Sequence, residues 1–146
     1  MKTILLIDSD SENLFTLTSG LNMSGYMVIP KANARATLSA ISTGIDVDLI
    51  ISSDRLPNVE GEDFVTVLKK MIPAAPVVLL SEEVPQQTYV RWVNGEVSDL
   101  VLKPVDMPDM LAAVQNVINR QPEGLAAYRS KGFLRSFRHE SVTRPT

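Results

Sequence analysis

The stretch "DLIISSDRLPNVEG", residues 48–61, decides how this chain is read. Leu49-Ile50-Ile51 is an apolar run that ends abruptly at Ser52-Ser53-Asp54, with Pro57 and Gly61 punctuating the loop beyond. A short apolar run bounded by turn residues is the pattern of a strand buried on both faces. Side chains alternate along a strand, so Ser53 and Asp54 belong to opposite faces, and one residue of slip would exchange them.

Outward from this strand, apolar runs alternate with helix-period segments. "TILLI" (3–7), "YMVIP" (26–30, closed by its proline), "VDLIIS" (47–52), "PVVLLS" (76–81) and "DLVLK" (99–103) read as strands. Between them, Leu14, Leu17 and Leu21 repeat at helical spacing over 11–24, with Gly25 as the stop. Asn33 suits the cap of a helix over 34–43 that Gly44 closes. Phe64, Val65 and Leu68 mark a helix over 61–71, and a fourth runs over 86–94. Asp106 caps a fifth over 108–120, with Pro108 in its first turn. Five strand–helix pairs in strict alternation predict an α/β fold, a parallel sheet covered by helices on both faces.

The composition supports one domain with a proper core: 146 residues, 45% hydrophobic and 21% charged. With no cysteine there is neither a disulfide framework nor a thiolate metal site. The opening "MKTILLIDSD" is too short an apolar run for a signal peptide or a membrane span, and a cytoplasmic protein is expected. Charge is unevenly placed. Residues 1–119 hold eight Lys/Arg against fifteen Asp/Glu, whereas residues 120–146 hold six against two. The chain therefore divides into a domain over 1–120 and a basic C-terminal tail over 121–146. In the tail, Leu125, Tyr128, Phe133 and Phe137 allow a partial amphipathic helix interrupted by Gly132. The tail carries no recognised DNA-binding motif, so nucleic acid is disfavoured as a partner.

In an open parallel sheet, ligands gather beyond the carboxyl ends of the strands. Here those ends carry Asp8-Ser9-Asp10, Ser52-Ser53-Asp54, Ser81 and Lys103-Pro104. An acid, a hydroxyl and a lysine at one edge suit a phosphoryl group and a hard cation. Taken together and in order, "ILLIDSD", "DLIISSDRLPNVEG", "VVLLS" and "LVLKPVD" make residues 1–120 resemble the receiver domain of two-component response regulators. The resemblance implies a flavodoxin-like doubly wound sheet of five parallel strands in the order 2-1-3-4-5. It also implies a pair of acids that hold Mg²⁺, matched by Asp8 and, in the second place, Ser9. Ser81 matches the hydroxyl that reads out the phosphoryl group, and Lys103 matches the lysine that pairs with its charge. The family's phospho-acceptor aspartate stands four residues before the loop proline. Four before Pro57 is Ser53; Asp54 is three before it.

A carboxylate attacks phosphorus without help, whereas a serine hydroxyl needs a base, and none is evident nearby. Leu100 occupies the place of the family's switch aromatic. With Ser9, Ser53 and Leu100 all substituted, the resemblance points to an atypical receiver, or pseudo-receiver. Such a domain would be a protein–protein interaction module in signal transduction and not an enzyme. The alternative is a phosphorylatable regulator that uses Asp54 through a shifted loop. Asp54 is otherwise expected to point away from the Asp8–Lys103 pocket into solvent. Asp10 is read as a helix cap. No cofactor is required on this reading, and Mg²⁺ at Asp8 is expected to be weak or absent. The expected partner is a histidine kinase or an output protein, with the chain itself a monomer or weak dimer. Tyr89, Trp92 and Leu100 are the candidates for partner contact.

Overall fold

In the computed structural model, which describes residues 1–84 and 86–119, the alternation becomes ten elements. They are β1 (Thr3–Ile7), α1 (Ser11–Met23), β2 (Met27–Lys31), α2 (Ala34–Ser42), β3 (Leu49–Ser53), α3 (Phe64–Met71), β4 (Val77–Ser81), α4 (Gln86–Val93), β5 (Asp99–Leu102) and α5 (Met107–Asn119). The five strands form one parallel sheet in the order β2-β1-β3-β4-β5. The expected fold is therefore the observed one. The basic tail over 121–146 lies outside the described residues.

The apolar runs are continuous because each central strand is covered on both faces. Leu5, Ile7, Ile50, Val77, Leu79 and Leu100 pack on one side with Phe64, Val65 and Leu68 of α3 and Trp92 of α4. Ile4, Leu6, Leu49, Ile51, Val78, Leu80 and Val101 pack on the other with Leu17 and Leu21 of α1 and Met110, Val114 and Val117 of α5. Register partners share a side: Leu5 with Ile50, Leu6 with Ile51, Ile51 with Val78, Leu80 with Val101. Gly20 brings α1 close to α5, since a Cβ there would lie 2.5 Å from the Met107 Cε.

The helix ends follow their local chemistry. Asp10 caps α1 by accepting the Glu12 and Asn13 N–H groups, and Asn33 caps α2 by accepting that of Ala36. At the far end of α1, the Tyr26 N–H donates to the Leu21 carbonyl and the Gly25 N–H to that of Asn22. This reciprocal closure needs a left-handed residue, which Gly25 supplies at φ 98°. α3 starts later than the periodicity implies. Residues 59–62 instead form a tight turn in which Val59 and Glu62 exchange both backbone hydrogen bonds, and Asp63 caps the helix. β2 is shifted by one residue from its expected span, running from Met27 through Pro30 to Lys31. An edge strand tolerates a missing donor on its outer side.

Two aromatic and apolar positions proposed for partner contact are core residues. Trp92 is 1% exposed and Leu100 is 2% exposed, both in the cluster under α3 and α4. Tyr89 is half-buried and meets Trp92 edge-on, with ring centroids 6.0 Å apart. The apolar residue that α4 does expose is Val90. Tyr89 and Trp92 lie three apart on α4, and the larger aromatic took the inward place.

The turn at 59–62 yields a stability prediction. Glu60 is exposed and sits at φ 49°, next to Gly61 at φ 82°. Left-handed backbone costs an ordinary residue roughly 1–2 kcal/mol, against about 0.4–1 kcal/mol for a glycine's added freedom in the unfolded chain. Glu60→Gly should therefore raise stability by about 0.5–1 kcal/mol and Tm by roughly 2–4 °C. A melt in which the variant is less stable than the parent would count against this turn.

Candidate functional site

The site is built at the carboxyl edge of β1, β3, β4 and β5. Asp8 follows β1 directly and is only 1% exposed. A carboxylate so deeply buried needs donors, and three are supplied. Its Oδ1 accepts the Asp10 N–H at 3.0 Å. Its Oδ2 accepts the Asn13 side-chain amide at 2.6 Å and lies 3.3 Å from the Lys103 Nζ. Lys103 stands just beyond β5, its side chain 18% exposed, before a cis peptide bond to Pro104. Ser9, by contrast, is exposed.

Ser53 ends β3 and is 3% exposed. Ile7 of β1 pairs with Ser52, so Ser53 falls opposite Asp8 one step past the ladder. Its hydroxyl accepts the Arg55 N–H at 3.2 Å. On its other side Ser53 pairs with Leu80, and the Asp54 N–H donates to the Leu80 carbonyl at 3.0 Å. The β3–β4 ladder thus continues one residue beyond the strand, which brings Asp54 opposite Ser81.

Asp54 is not a freely solvated acid. It is half-buried, and the Ser81 hydroxyl lies 2.6 Å from its Oδ2. Among the described residues it makes no ion pair with Lys103, whose partner is Asp8. Alternation along β3 correctly separates Asp54 from Ser53, but it does not say what stands across the ladder. The cross-strand neighbour, a fully buried hydroxyl at the end of β4, is what captures the carboxylate. Ser81 Oγ also rests against the Glu83 carbonyl, so its single proton has two competing acceptors.

Sequence reading passed over Asn13 in this cluster, and Arg91 and Asp63 between the helices. Asn13 sits in the first turn of α1, where a side chain faces back over the end of β1; that position was the available signal. Arg91 of α4 reaches α3, with Nη1 2.6 Å from the Asp63 carboxylate and Nη2 3.3 Å from the Thr66 hydroxyl. Asp63 is also the cap of α3, so one carboxylate serves both a helix start and an interhelical ion pair. No local pattern in the sequence marks that second use.

A doubly wound domain that gathers an acid–lysine pair, a strand-end hydroxyl and a loop proline at one sheet edge is of the signalling receiver class. The chain belongs to the response regulator receiver domain family, whose model matches residues 4–115. It is 27% identical over 118 residues to the transcriptional regulatory protein PrrA of Mycobacterium tuberculosis, covering 81% of this chain and 50% of that protein. It is 28% identical over 117 residues to the transcriptional regulatory protein CusR of Escherichia coli, covering 80% of this chain and 51% of that one. The chain thus spans about half the length of these relatives. Among solved structures, a response regulator from Desulfuromonas acetoxidans superposes with a TM-score of 0.70 at 26% identity, covering 81% of this chain and 97% of that one. A receiver domain from Clostridium thermocellum gives 0.72 at 24% identity, covering 82% and 96%.

The Asp8 cluster predicts an asymmetry between its two charges. Lys103→Met leaves a buried carboxylate without its cation. The loss should fall near the lower end of about 3–5 kcal/mol, since Lys103 is partly open to water. Asp8→Asn leaves an ammonium that can turn toward solvent, and should cost less. Urea unfolding of both variants tests the order; a milder effect of Lys103→Met would show that the pair does not hold this edge together.

Proposed function

We propose that this domain is an atypical receiver, a protein–protein interaction module in signal transduction that works without conventional aspartyl phosphorylation. The observation that carries the reading is a buried serine, Ser53, at the β3 end opposite Asp8, where the family's register calls for the acceptor aspartate. The donors around Asp8 support it. Three of the roughly four lone-pair positions of that carboxylate are taken by Asp10, Asn13 and Lys103. Mg²⁺ asks for a near-octahedral set of oxygens, usually with carboxylates. Among the described residues, no group of three or more His, Cys, Asp or Glu side chains is placed to hold a metal. The residues present do not fit the family's ion well, and Mg²⁺ binding is proposed to be weaker than about 1 mM, worth only about 4 kcal/mol.

The partner is a signalling protein, a histidine kinase or an output protein, and neither catalysis nor nucleic-acid binding is part of the proposal. Among the described residues no helix is long and apolar enough to cross a membrane. One observation favours a second reading. The contact of Asp54 with Ser81 places a carboxylate beside the hydroxyl that the family uses for readout, as a phosphorylatable Asp54 would require. Incubation with acetyl phosphate and Mg²⁺, read by intact mass, separates the two. No adduct is expected; an adduct abolished by Asp54→Asn would replace the first reading with the second.

Ser53→Asp tests the pocket itself. The new carboxylate would lie beside Asp8, and at a separation of about 4 Å with an effective dielectric near 20 the raw repulsion is roughly 4 kcal/mol. Lys103 and water reduce the net cost. The variant should melt below the parent without metal, and Mg²⁺ should raise its Tm far more than the parent's, by mass action on the folded state. Equal Mg²⁺ shifts in the two proteins would remove the basis for assigning position 53 to the pocket.

A further inference from the structure

We infer that the basic C-terminal tail, residues 121–146, folds back onto its own domain and fills a groove at the amino edge of the sheet, the edge opposite Asp8 and Lys103. The groove holds about 330 Å³ and lies where the chain enters β1, β3 and β4. Lys2, Asp48 and Pro76 each directly precede one of those strands, and Ala74, Val117 and Ile118 complete the wall. Val117 and Ile118 belong to the last turn of α5, so the tail leaves the described domain at the rim of this groove. Ala74 is exposed, and Pro76 and Ile118 are half-buried, which leaves an apolar wall open to water. Among the described residues neither Lys2 nor Asp48 has an ion pair; Asp48 Oδ2 accepts the Thr3 N–H at 2.8 Å.

The first stretch of the tail matches that groove in both its apolar and its charged residues. Leu125 is the first large apolar residue after α5 and stands six residues past Asn119, a reach of up to about 20 Å when extended. Pro122 and Gly124 are residues that turn a chain, as a return onto Ile118 requires. Leu125 and Tyr128 cover Ala74, Pro76 and Ile118, a contact driven by the apolar area removed from water. Glu123, the first acid of the tail, meets Lys2, and Arg129, next after Tyr128, meets Asp48. A polyanion would match Lys2 and be repelled by Asp48, and a purely basic ligand the reverse, so the mixed signs favour this chain's own segment. The charges as a whole agree: eight Lys/Arg against fifteen Asp/Glu over 1–119, and six against two beyond. Because the segment is already tethered beside the groove, a small contact area suffices to hold it there. The carboxyl edge stays open, so the inference is independent of the state of Ser53 and Asp54.

The chain has no cysteine, so introduced pairs report the docking directly in the whole 146-residue chain. Ala74→Cys with Leu125→Cys is compared with Val90→Cys with Leu125→Cys; Ala74 and Val90 are both exposed, so neither change disturbs the core, and Val90 is no part of the groove. Oxidised glutathione is the oxidant, and intact mass is the readout. A disulfide needs Cα atoms within about 7 Å, so the Ala74 pair should close at least about tenfold faster than the Val90 pair. Its product should be a monomer, formed at a rate independent of protein concentration. Adding Asp48→Asn or Arg129→Gln should slow the closure. Equal rates for the two pairs overturn the docking. A disulfide-linked dimer as the product overturns the folding back, since the tail would then lie in the groove of a second copy. Closure at an unchanged rate with Asp48→Asn overturns the pairing of Asp48 with Arg129.

Discussion

The structure depends on the double registration of β3. That strand is hydrogen-bonded on one side to β1 and on the other to β4, and its five residues are all buried. A slip of one residue would have to break both ladders and carry Ile50 and Ile51 to the wrong cores at once. The chain ends of β1 and β4 are thereby fixed relative to β3. Ser53 comes to rest beside Asp8, and Asp54 beside Ser81. Neither assignment is a property of the loop; both are set several residues earlier, by the apolar run.

The charge arrangement follows from that geometry. Asp8 is held where water hardly reaches, and its donors come from α1, the β1–α1 turn and the end of β5. A single carboxylate can be satisfied in this way by one cation and two amides. A second carboxylate at position 53 would need a further cation, so a neutral side chain at 53 and internal pairing of Asp8 are mutually consistent. The two serines at the strand ends then divide the work: Ser53 accepts from the backbone of Arg55, while Ser81 donates to the following loop's neighbours.

Much of this was legible in the sequence, because strand burial and helix stops leave strong local marks. The five apolar runs, Gly25 after α1, and the caps at Asp10 and Asn33 are examples. The spacing from Ser53 to Pro57 distinguished two adjacent candidates that composition alone could not. What escaped is cross-element information. Alternation told which face Asp54 takes, not that Ser81 waits opposite. The sequence set Tyr89, Val90 and Trp92 on one short helix without showing that Trp92 would fill the core while Val90 stays outside. The second role of Asp63, pairing with Arg91, depends on the packing of two helices and has no signature in either.

Pro30 has a consequence of its own. The Met27 N–H donates inward to Lys2 and the Asp8 N–H to Lys31, so Met27, Ile29 and Lys31 present their polar backbone groups to β1. Val28 and Pro30 are left to face outward at the open margin of the sheet. Proline has no N–H, so that margin offers a single amide donor along the strand. An extended peptide seeking to zip onto this edge would find the carbonyls of Val28 and Pro30 but only half of the amide donors it needs. Pairing along this margin is thereby weakened on its donor side, beside an α1 helix that exposes Phe15 and Met23.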